Sequence, residues 1–246
     1  MSTGHPSPPS TTEPLTSTEP PTSTAQPDAA EALSGTDRTR LRRMRERGRT
    51  DRAELHAILD EASICHLGVV IDGAPRVLPT AYGRVGDTLY LHGSSGASSL
   101  LEAPSGEICV TVTLVDGLVL SRSANHHSMN FRCAMIYGVP SPVLDEEERL
   151  LGLRAVVENV APGQWDATRA PTRKELAATS VLALSLDEAS VKVREGQPGD
   201  EPEDYALDIW AGVIPVRTTY GEPVPDPALK PGIPVPGHIL ATFQSG

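Results

Sequence analysis

The sequence predicts a mainly β fold with peripheral helices, in which antiparallel strands form a closed or split barrel. Residues 64–93 contain three β-rich runs separated by turn signals at Asp72-Gly73 and Gly86-Asp87. Two longer β-rich runs follow, "EICVTVTLVDGLVL" with a predicted turn at Asp116-Gly117, and "NFRCAMIYGVPSPVL". The links are of hairpin length and too short for the crossovers of a parallel sheet, which excludes a doubly wound fold.

The remaining elements follow from local patterns. Asp51 and Glu54 have the spacing of a capping box and predict a helix through "AELHAILDEA". Further helices are predicted at about 96–103, 145–160 and 172–178. Two short strands are predicted on either side of Asp187-Glu188.

Composition limits the class of protein. A chain of 246 residues with 39% hydrophobic residues can bury one core and carry extensions. The net charge of −11 argues against a nucleic-acid partner and an anionic membrane. The three cysteines are widely spaced and no signal peptide or long apolar run is evident, so we predict buried, reduced thiols in a cytoplasmic protein.

The chain divides into three parts. Residues 1–36 are predicted to be a disordered head, because the first 27 residues hold seven prolines and twelve Ser or Thr with few apolar residues. Residues 37–217 form the predicted folded domain. Residues 218–246, rich in Pro and Gly, form a predicted extended tail.

Eight arginines lie between Arg38 and Arg52 in an otherwise acidic chain, and we call this segment the arginine arm. Such a run is typical of contact with a phosphate-bearing ligand or nucleic acid, or of a solvated arm packed against an acidic surface. The absence of interleaved aromatic residues favours the second interpretation.

Several blocks of sequence occur together in an order that resembles a known family. They are "RGRTDRAELHAILDEASICHLG", "GAPRVLPTAYGRVGDTLYLHGSSG", "VTVTLVDGLVLSRSANHHSMNFRCAMIYG", "PGQWDATRAPTRKELAATSVLALSL" and "DYALDIWAGVIPV". Over about residues 38–217 the chain resembles the flavin-nucleotide-binding branch of the pyridoxamine 5'-phosphate oxidase-like superfamily, which includes nitroimidazole-resistance proteins. The resemblance implies an FMN-binding split β-barrel, homodimeric, with FMN in two clefts at the subunit interface.

The resemblance also implies positions for the cofactor. The strand "RVLPTAYG" would lie along the flavin ring, with alternate residues either contacting flavin or packing in the barrel core. The segment "LYLHGSSGASS" would hold the phosphate, and the C-terminal block would approach the cleft or brace the barrel wall. The candidate residues are Val77, Leu78, Pro79, Thr80 and Tyr82 for the ring, His92, Gly93, Ser94 and Ser98 for the phosphate, and Lys192 and Trp210 beside the cleft.

The phosphate segment departs from the family pattern. Relatives carry an arginine or lysine just after the serines, whereas Ala97, Ser98 and Ser99 stand here. Loss of a charge-assisted contact predicts weakened FMN binding unless another cation substitutes. The candidates for that cation are Arg76, Arg132 and the arginine arm.

Two adjacent histidines stand in "SRSANHHSMNFRCAMIYG", residues 121–138. Neighbouring side chains on an extended segment point to opposite faces, and no carboxylate lies nearby in sequence, so no metal site is predicted. Ser128, Asn130 and Arg132 alternate on one face, where they either meet a phosphate or flavin edge or serve only dimer packing. Phe131 and Cys133 are predicted to face the core.

The resemblance to the nitroimidazole-resistance proteins implies that His92 lies at the active-site cleft, which makes it the candidate catalytic residue, as a general acid or as a ligand of haem iron; the alternative is a partly buried histidine bonded to the backbone. We therefore expect an FMN-dependent oxidoreductase acting on a small molecule. The alternative is a non-catalytic protein that binds or sequesters flavin or haem.

Overall fold

The computed structural model describes Met1 and residues 32–243, which form two antiparallel sheets surrounded by short helices. The strands are β1 (Gly48–Arg49), β2 (Cys65–Ile71), β3 (Ala74–Thr80), β4 (Tyr82–Val85), β5 (Thr88–Ser94), β6 (Ile108–Leu120), β7 (Ser128–Gly138), β8 (Ser141–Pro142), β9 (Thr179–Ser185), β10 (Ala189–Arg194) and β11 (Gly212–Pro215). The larger sheet has the order β1-β10-β7-β6-β2-β3 with β11 beside β6, and the smaller has the order β4-β5-β9-β8. The predicted mainly β fold is confirmed.

The helices are α1 (Arg52–Glu61), α2 (Ser98–Glu102), α3 (Glu146–Val160), α4 (Gln164–Ala167), α5 (Arg173–Ala177) and α6 (Gly237–Phe243). Four of them coincide with the predicted segments, whereas α4 and α6 were not predicted. The Asp51 carboxylate accepts from the Ala53 N–H at the start of α1 (2.8 Å), but Glu54 instead pairs with Arg49, so the predicted capping box is not formed.

The β2–β3 turn forms as predicted, with Asp72 at φ 52° and Gly73 at φ 74°, the left-handed conformation of a two-residue hairpin turn. The predicted turn at Asp116-Gly117 is wrong. Here β6 continues through both residues and pairs with β7 on either side of a bulge between Val115 and Gly117. A bulge absorbs one extra residue without reversing the strand.

The chain changes sheets at three short links, of which residues 139–140 connect β7 in the larger sheet to β8 in the smaller one. At Ala81 it leaves β3 in the larger sheet and enters β4 in the smaller one. At residues 186–188 it returns from β9 to β10, so these two predicted strands exist but pair with different partners. The two sheets thereby enclose one core, into which α1 inserts Leu55, Ile58 and Leu59.

Side-chain alternation defines the inner and outer faces of the larger sheet. Cys65, Leu67 and Val69 of β2 are buried, whereas His66 and Val70 are exposed. On β7 the buried residues are Ala134 and Ile136, so Cys133 lies on the outer face, contrary to the prediction. All three cysteines are free, as predicted, but only Cys65 is buried.

Residues 2–31 of the predicted head lie outside the described residues, as do residues 244–246 of the tail. The described end of the head packs on the domain, because Leu33 is buried and its N–H donates to the Thr50 carbonyl at 2.8 Å. The tail returns to the domain through α6, where His238 Nε2 lies 2.9 Å from Gln164 Oε1. Within the described residues no helix combines the length and apolarity that crossing a membrane requires.

Candidate functional site

A cavity of about 780 Å³ opens where the arginine arm meets the start of β7 and the end of β10. We call it the basic cavity, because four arginines line it against two glutamates. Its lining residues are Arg43, Met44, Glu46, Arg47, Arg49, Asn125, His126, His127, Ser128, Val193, Arg194, Glu195, Gln197 and Gly199. Its volume lies within the range of about 300–1,000 Å³ that ligand sites occupy.

Strand pairing and a rigid loop build the walls of the basic cavity. The arm is held against β10 by the short strand β1, in the register Gly48 opposite Lys192. Residues 121–127, between β6 and β7, form a loop that we call the histidine loop. Ser121 fixes this loop, because its N–H donates to His127 Nδ1 (2.9 Å) and its hydroxyl donates to the His126 carbonyl (2.8 Å). Because His127 Nδ1 accepts a hydrogen bond, the neutral ring carries its proton on Nε2.

Arg194 is the electrostatic centre of the basic cavity. Its Nη1 donates to Asn130 Oδ1, its Nε is buried without a hydrogen-bond partner, and it makes no ion pair within the described part of the chain. Burial lowers the pKa of Arg194, and the nearby charge of Arg47 lowers that pKa further. Two cations that repel each other, with one donor unsatisfied, form a site that an anion would stabilise.

Carboxylates do approach His126, contrary to the sequence expectation, although they lie more than 70 residues further along the chain. Ligand atoms of His126, Asp200 and Asp204 lie within 4.8 Å of one another. Arg122 already binds the Asp200 carboxylate, through an ion pair from its guanidinium (3.0 Å) and a hydrogen bond from the Arg122 backbone N–H (2.9 Å). The cluster therefore anchors the loop after β10 to the histidine loop.

Arg132 is not available as a replacement cation. Its guanidinium binds Glu61, with an Nη2–Oε1 distance of 2.7 Å, and Asp116, with Nη2–Oδ1 and Nε–Oδ2 distances of 2.8 and 3.1 Å. Hydrogen bonds to Glu61 and then to Asp116 raise the pKa of Arg132. Holding a phosphate would require breaking these contacts, so Arg132 is less available to a ligand than Arg194.

Other predicted residues of this region divide by strand and face. Ser128 lines the basic cavity, and Asn130 lies beside it through Arg194. Lys192 does not line the cavity, since it lies opposite Cys133 on the outer face of the larger sheet. Trp210 is 66% exposed, and its ring lies over Gly212 of β11, where a Cβ would be 3.1 Å from the indole.

The predicted flavin-edge strand is β3, the open edge of the larger sheet, far from β10 in the strand order. Val77 and Leu78 are 68% and 37% exposed, so they are not barrel core. Arg76, Pro79 and Thr80 lie on the same strand, and Arg76 forms no ion pair within the described residues. β3 therefore remains accessible to a cofactor or a second subunit.

Tyr82 is a core residue and its side chain does not reach a cofactor. It is fully buried, and its hydroxyl donates to the carbonyls of Leu59 (2.6 Å) and Ala62 (3.0 Å). The sequence missed this because the bonding partners lie in α1 and in the link that follows it.

The predicted phosphate segment is compact but lacks a cation. Gly93 packs against Leu100 so closely that a Cβ would lie 2.6 Å from Leu100 Cδ1. Ser94 Oγ accepts from the Gly96 N–H at 3.3 Å, and Ser98 begins the short helix α2. His92 does not line the basic cavity; it lies in a separate cavity beneath α3.

The sequence model of the family described as pyridoxamine 5'-phosphate oxidase matches residues 51–193. The flavocytochrome Anf3 from Azotobacter vinelandii is 42% identical, with a TM-score of 0.80 over 84% of this chain and 96% of that one. An FAD- and haem-binding protein from Mycobacterium smegmatis is 38% identical, with a TM-score of 0.76 over 80% of this chain and 97% of that one. Comparison with proteins of curated function returned no match.

Proposed function

Because the chain belongs to the pyridoxamine 5'-phosphate oxidase family, we propose that it is a flavin-nucleotide-binding oxidoreductase acting on a small molecule. The observation that carries this proposal is Arg194, which makes no ion pair within the described residues and is repelled by Arg47, whereas Arg47 itself lies 3.9 Å from the Glu46 carboxylate. A phosphate would accept from the unpartnered Nε of Arg194 and offset the repulsion between the two guanidinium groups. Arg194 of β10, together with Arg47 of the arginine arm, would thus provide the positive charge that residues 97–99 lack.

The sequence indicates FMN, and we propose FAD as the alternative form of the flavin. The family relative from Mycobacterium smegmatis is described as FAD-binding. Four arginines at one cavity match the diphosphate of FAD better than a single phosphate monoester. When bound, the flavin supplies the redox chemistry, and the residues of this chain bind and orient it.

Haem is the second candidate ligand, since both relatives described above are haem or cytochrome proteins. His126 favours it, because its Nδ1 is buried without a partner and its ring lines the basic cavity. The cavity around His92 has a volume of only about 190 Å³, well below that of ordinary cofactor sites. We therefore propose His126, and not His92, as the residue that would bind haem iron.

The proposal includes a cytoplasmic homodimer without nucleic-acid or membrane partners. Two rows of residues cross four strands on the outer face of the larger sheet, and none carries a charged Asp, Glu, Lys or Arg side chain. They are Val77, Gly68, Cys109 and Tyr137 in one row and Pro79, His66, Thr111 and Met135 in the other. These two uncharged rows lie beside the open edge of β3 and suit a second copy of this chain, with Lys192 on the same face and the Arg38 guanidinium 5.3 Å from the Tyr137 ring centroid.

The test is a titration of FAD, FMN and riboflavin into the native protein and Arg194→Gln, after an absorption spectrum has distinguished flavin bands from a haem Soret band. Loss of a charge-assisted contact should weaken FAD and FMN by roughly 10- to 100-fold and leave riboflavin, which has no phosphate, nearly unchanged. Arg40→Gln is the matched control, since Arg40 lies in the arm but outside the basic cavity. Equal weakening of all three flavins, or none, would contradict phosphate binding at Arg194.

A further inference from the structure

A second cavity lies on the opposite side of the smaller sheet from the shared core, beneath α3, α4 and α5. It has a volume of about 190 Å³ and shares no lining residue with the basic cavity. Its walls are mostly apolar. The lining residues are His92, Leu153, Val156, Val157, Trp165, Pro171, Glu175, Leu176 and Thr179.

His92 supplies the unsatisfied polar group of this cavity. Its Nδ1 is buried and has no hydrogen-bond partner within the described part of the chain. Buried polar atoms are almost always bonded, so an exception indicates a missing partner. Burial lowers the pKa of His92 from its ordinary value of 6.5, and the ring is therefore neutral at neutral pH.

The other polar groups of the cavity are already bonded. Glu175 accepts from Arg169 at 2.5 and 2.8 Å and from the Thr172 N–H at 2.7 Å. The Thr179 hydroxyl donates to the Glu175 carbonyl at 2.9 Å. The Glu175 carboxylate disfavours an anionic ligand, and a cation would lose its hydration among apolar walls without gaining an unpaired carboxylate.

We propose that the His92 cavity is a binding site for a small, uncharged, single-ring molecule that carries one hydroxyl or N–H group. An apolar cavity of about 150 Å³ is sufficient for benzene. The ring would contact Leu153, Val157 and Trp165. Its polar group would bond His92 Nδ1 once the imidazole turns this buried nitrogen towards the cavity. The site is independent of the flavin proposal, because neither its walls nor its charge requirements involve the basic cavity.

Phenol and toluene are matched probes, since they differ only in the hydroxyl or methyl group on one ring. Trp165 lines the cavity and reports occupancy through its fluorescence, and Trp210→Phe removes the only other tryptophan. Excitation at the red edge of the indole band avoids absorption by phenol. In this background phenol should bind saturably and about tenfold more tightly than toluene, the factor that one net hydrogen bond contributes.

Two substitutions separate the hydrogen bond from the cavity. His92→Leu should remove the preference for phenol and leave toluene binding unchanged or tighter. Val157→Phe should fill the cavity and abolish binding of both probes, whereas Val160→Phe, on the exposed side of α3, should change neither titration. Flavin content should be the same throughout.

The proposal is wrong if the Trp210→Phe protein, which retains His92, binds phenol and toluene with equal affinity or shows no saturation. It is also wrong if Val157→Phe leaves binding of the two probes unchanged. If Val157→Phe does not fold, the ring nitrogen shifts of His92 in the native protein provide the second measurement. Addition of phenol, but not toluene, should move the Nδ1 resonance. An unmoved resonance at saturating phenol would equally overturn the assignment.

Discussion

At the scale of single residues, two arginines that look equivalent in sequence have opposite roles. Arg132 and Arg194 both lie on β strands beside the arm, but Arg132 is neutralised by Glu61 and Asp116. Arg194 has only Asn130 and the repelling charge of Arg47. The sequence indicates Arg76, Arg132 or the arginine arm as the replacement cation and does not single out Arg194, because that choice depends on contacts between distant segments.

The burial of His92 predicts how the free energy of unfolding depends on pH. Burial lowers the pKa of the folded-state imidazole below its ordinary value of 6.5, so the unfolded chain binds more protons over the interval between the two values. The free energy of unfolding should therefore fall as pH is lowered from 6.5 towards the folded-state pKa. Urea unfolding across this interval should show that slope for the native protein and a shallower one for His92→Leu.

A titration of the ring nitrogens by NMR checks the cause directly. The His92 midpoint should lie below the ordinary histidine value. A midpoint at or above it would show that the ring is solvated or paired with a carboxylate, and would remove the basis for the pH slope.

At the scale of secondary-structure elements, local patterns were sufficient for most strands and for four helices. Local patterns failed where pairing with a strand distant in sequence determines whether a segment is a strand or a turn. Residues Asp116-Gly117 read as a turn, but both halves of β6 pair with β7 and retain one strand. The exchanges between sheets at Ala81 and at 186–188 are equally invisible, because a hairpin and a sheet switch use similar short links.

The docking of α3 on the smaller sheet depends on one glycine. A Cβ at Gly83 would lie 2.2 Å from the carbonyl carbon of Ala155 and 2.4 Å from the Val156 nitrogen. The obstruction is helix backbone, which cannot rotate away. Gly83→Ala should therefore push α3 from β4 and lower the free energy of unfolding by about 1–3 kcal/mol or more.

Urea unfolding followed by circular dichroism measures that loss. Gly35→Ala is the control, since nothing lies within 4 Å of a Cβ at Gly35. The control should change stability by a few tenths of a kcal/mol only. If both variants unfold like the native protein, α3 has room to shift and the close approach is not required.

At the scale of the whole molecule, the outer face of the larger sheet carries uncharged residues whose presence on a surface a single chain does not explain. The same strands that bury Leu67 and Val110 on the inner face carry two uncharged rows on the outer one. β3 adds an open strand edge with Val77 exposed. The alternation of apolar and polar residues assigns side chains to the two faces of the sheet. It does not show whether the outer face contacts solvent or a partner.

A homodimer through this face predicts a specific response to charge. Val77→Lys places an ammonium group within the proposed interface, where it loses hydration without a partner, so the dissociation constant of the dimer should increase by at least about tenfold. Val160→Lys, also at an exposed position but on α3, should leave association unchanged. Sedimentation of the native protein and both variants at micromolar concentration makes the comparison. The proposal is wrong if the native protein sediments only as a monomer, or if the Val77→Lys protein is as dimeric as the control. Either result would show that the two uncharged rows do not form a dimer interface. Flavin content measured on the same samples would show whether cofactor binding depends on the dimer.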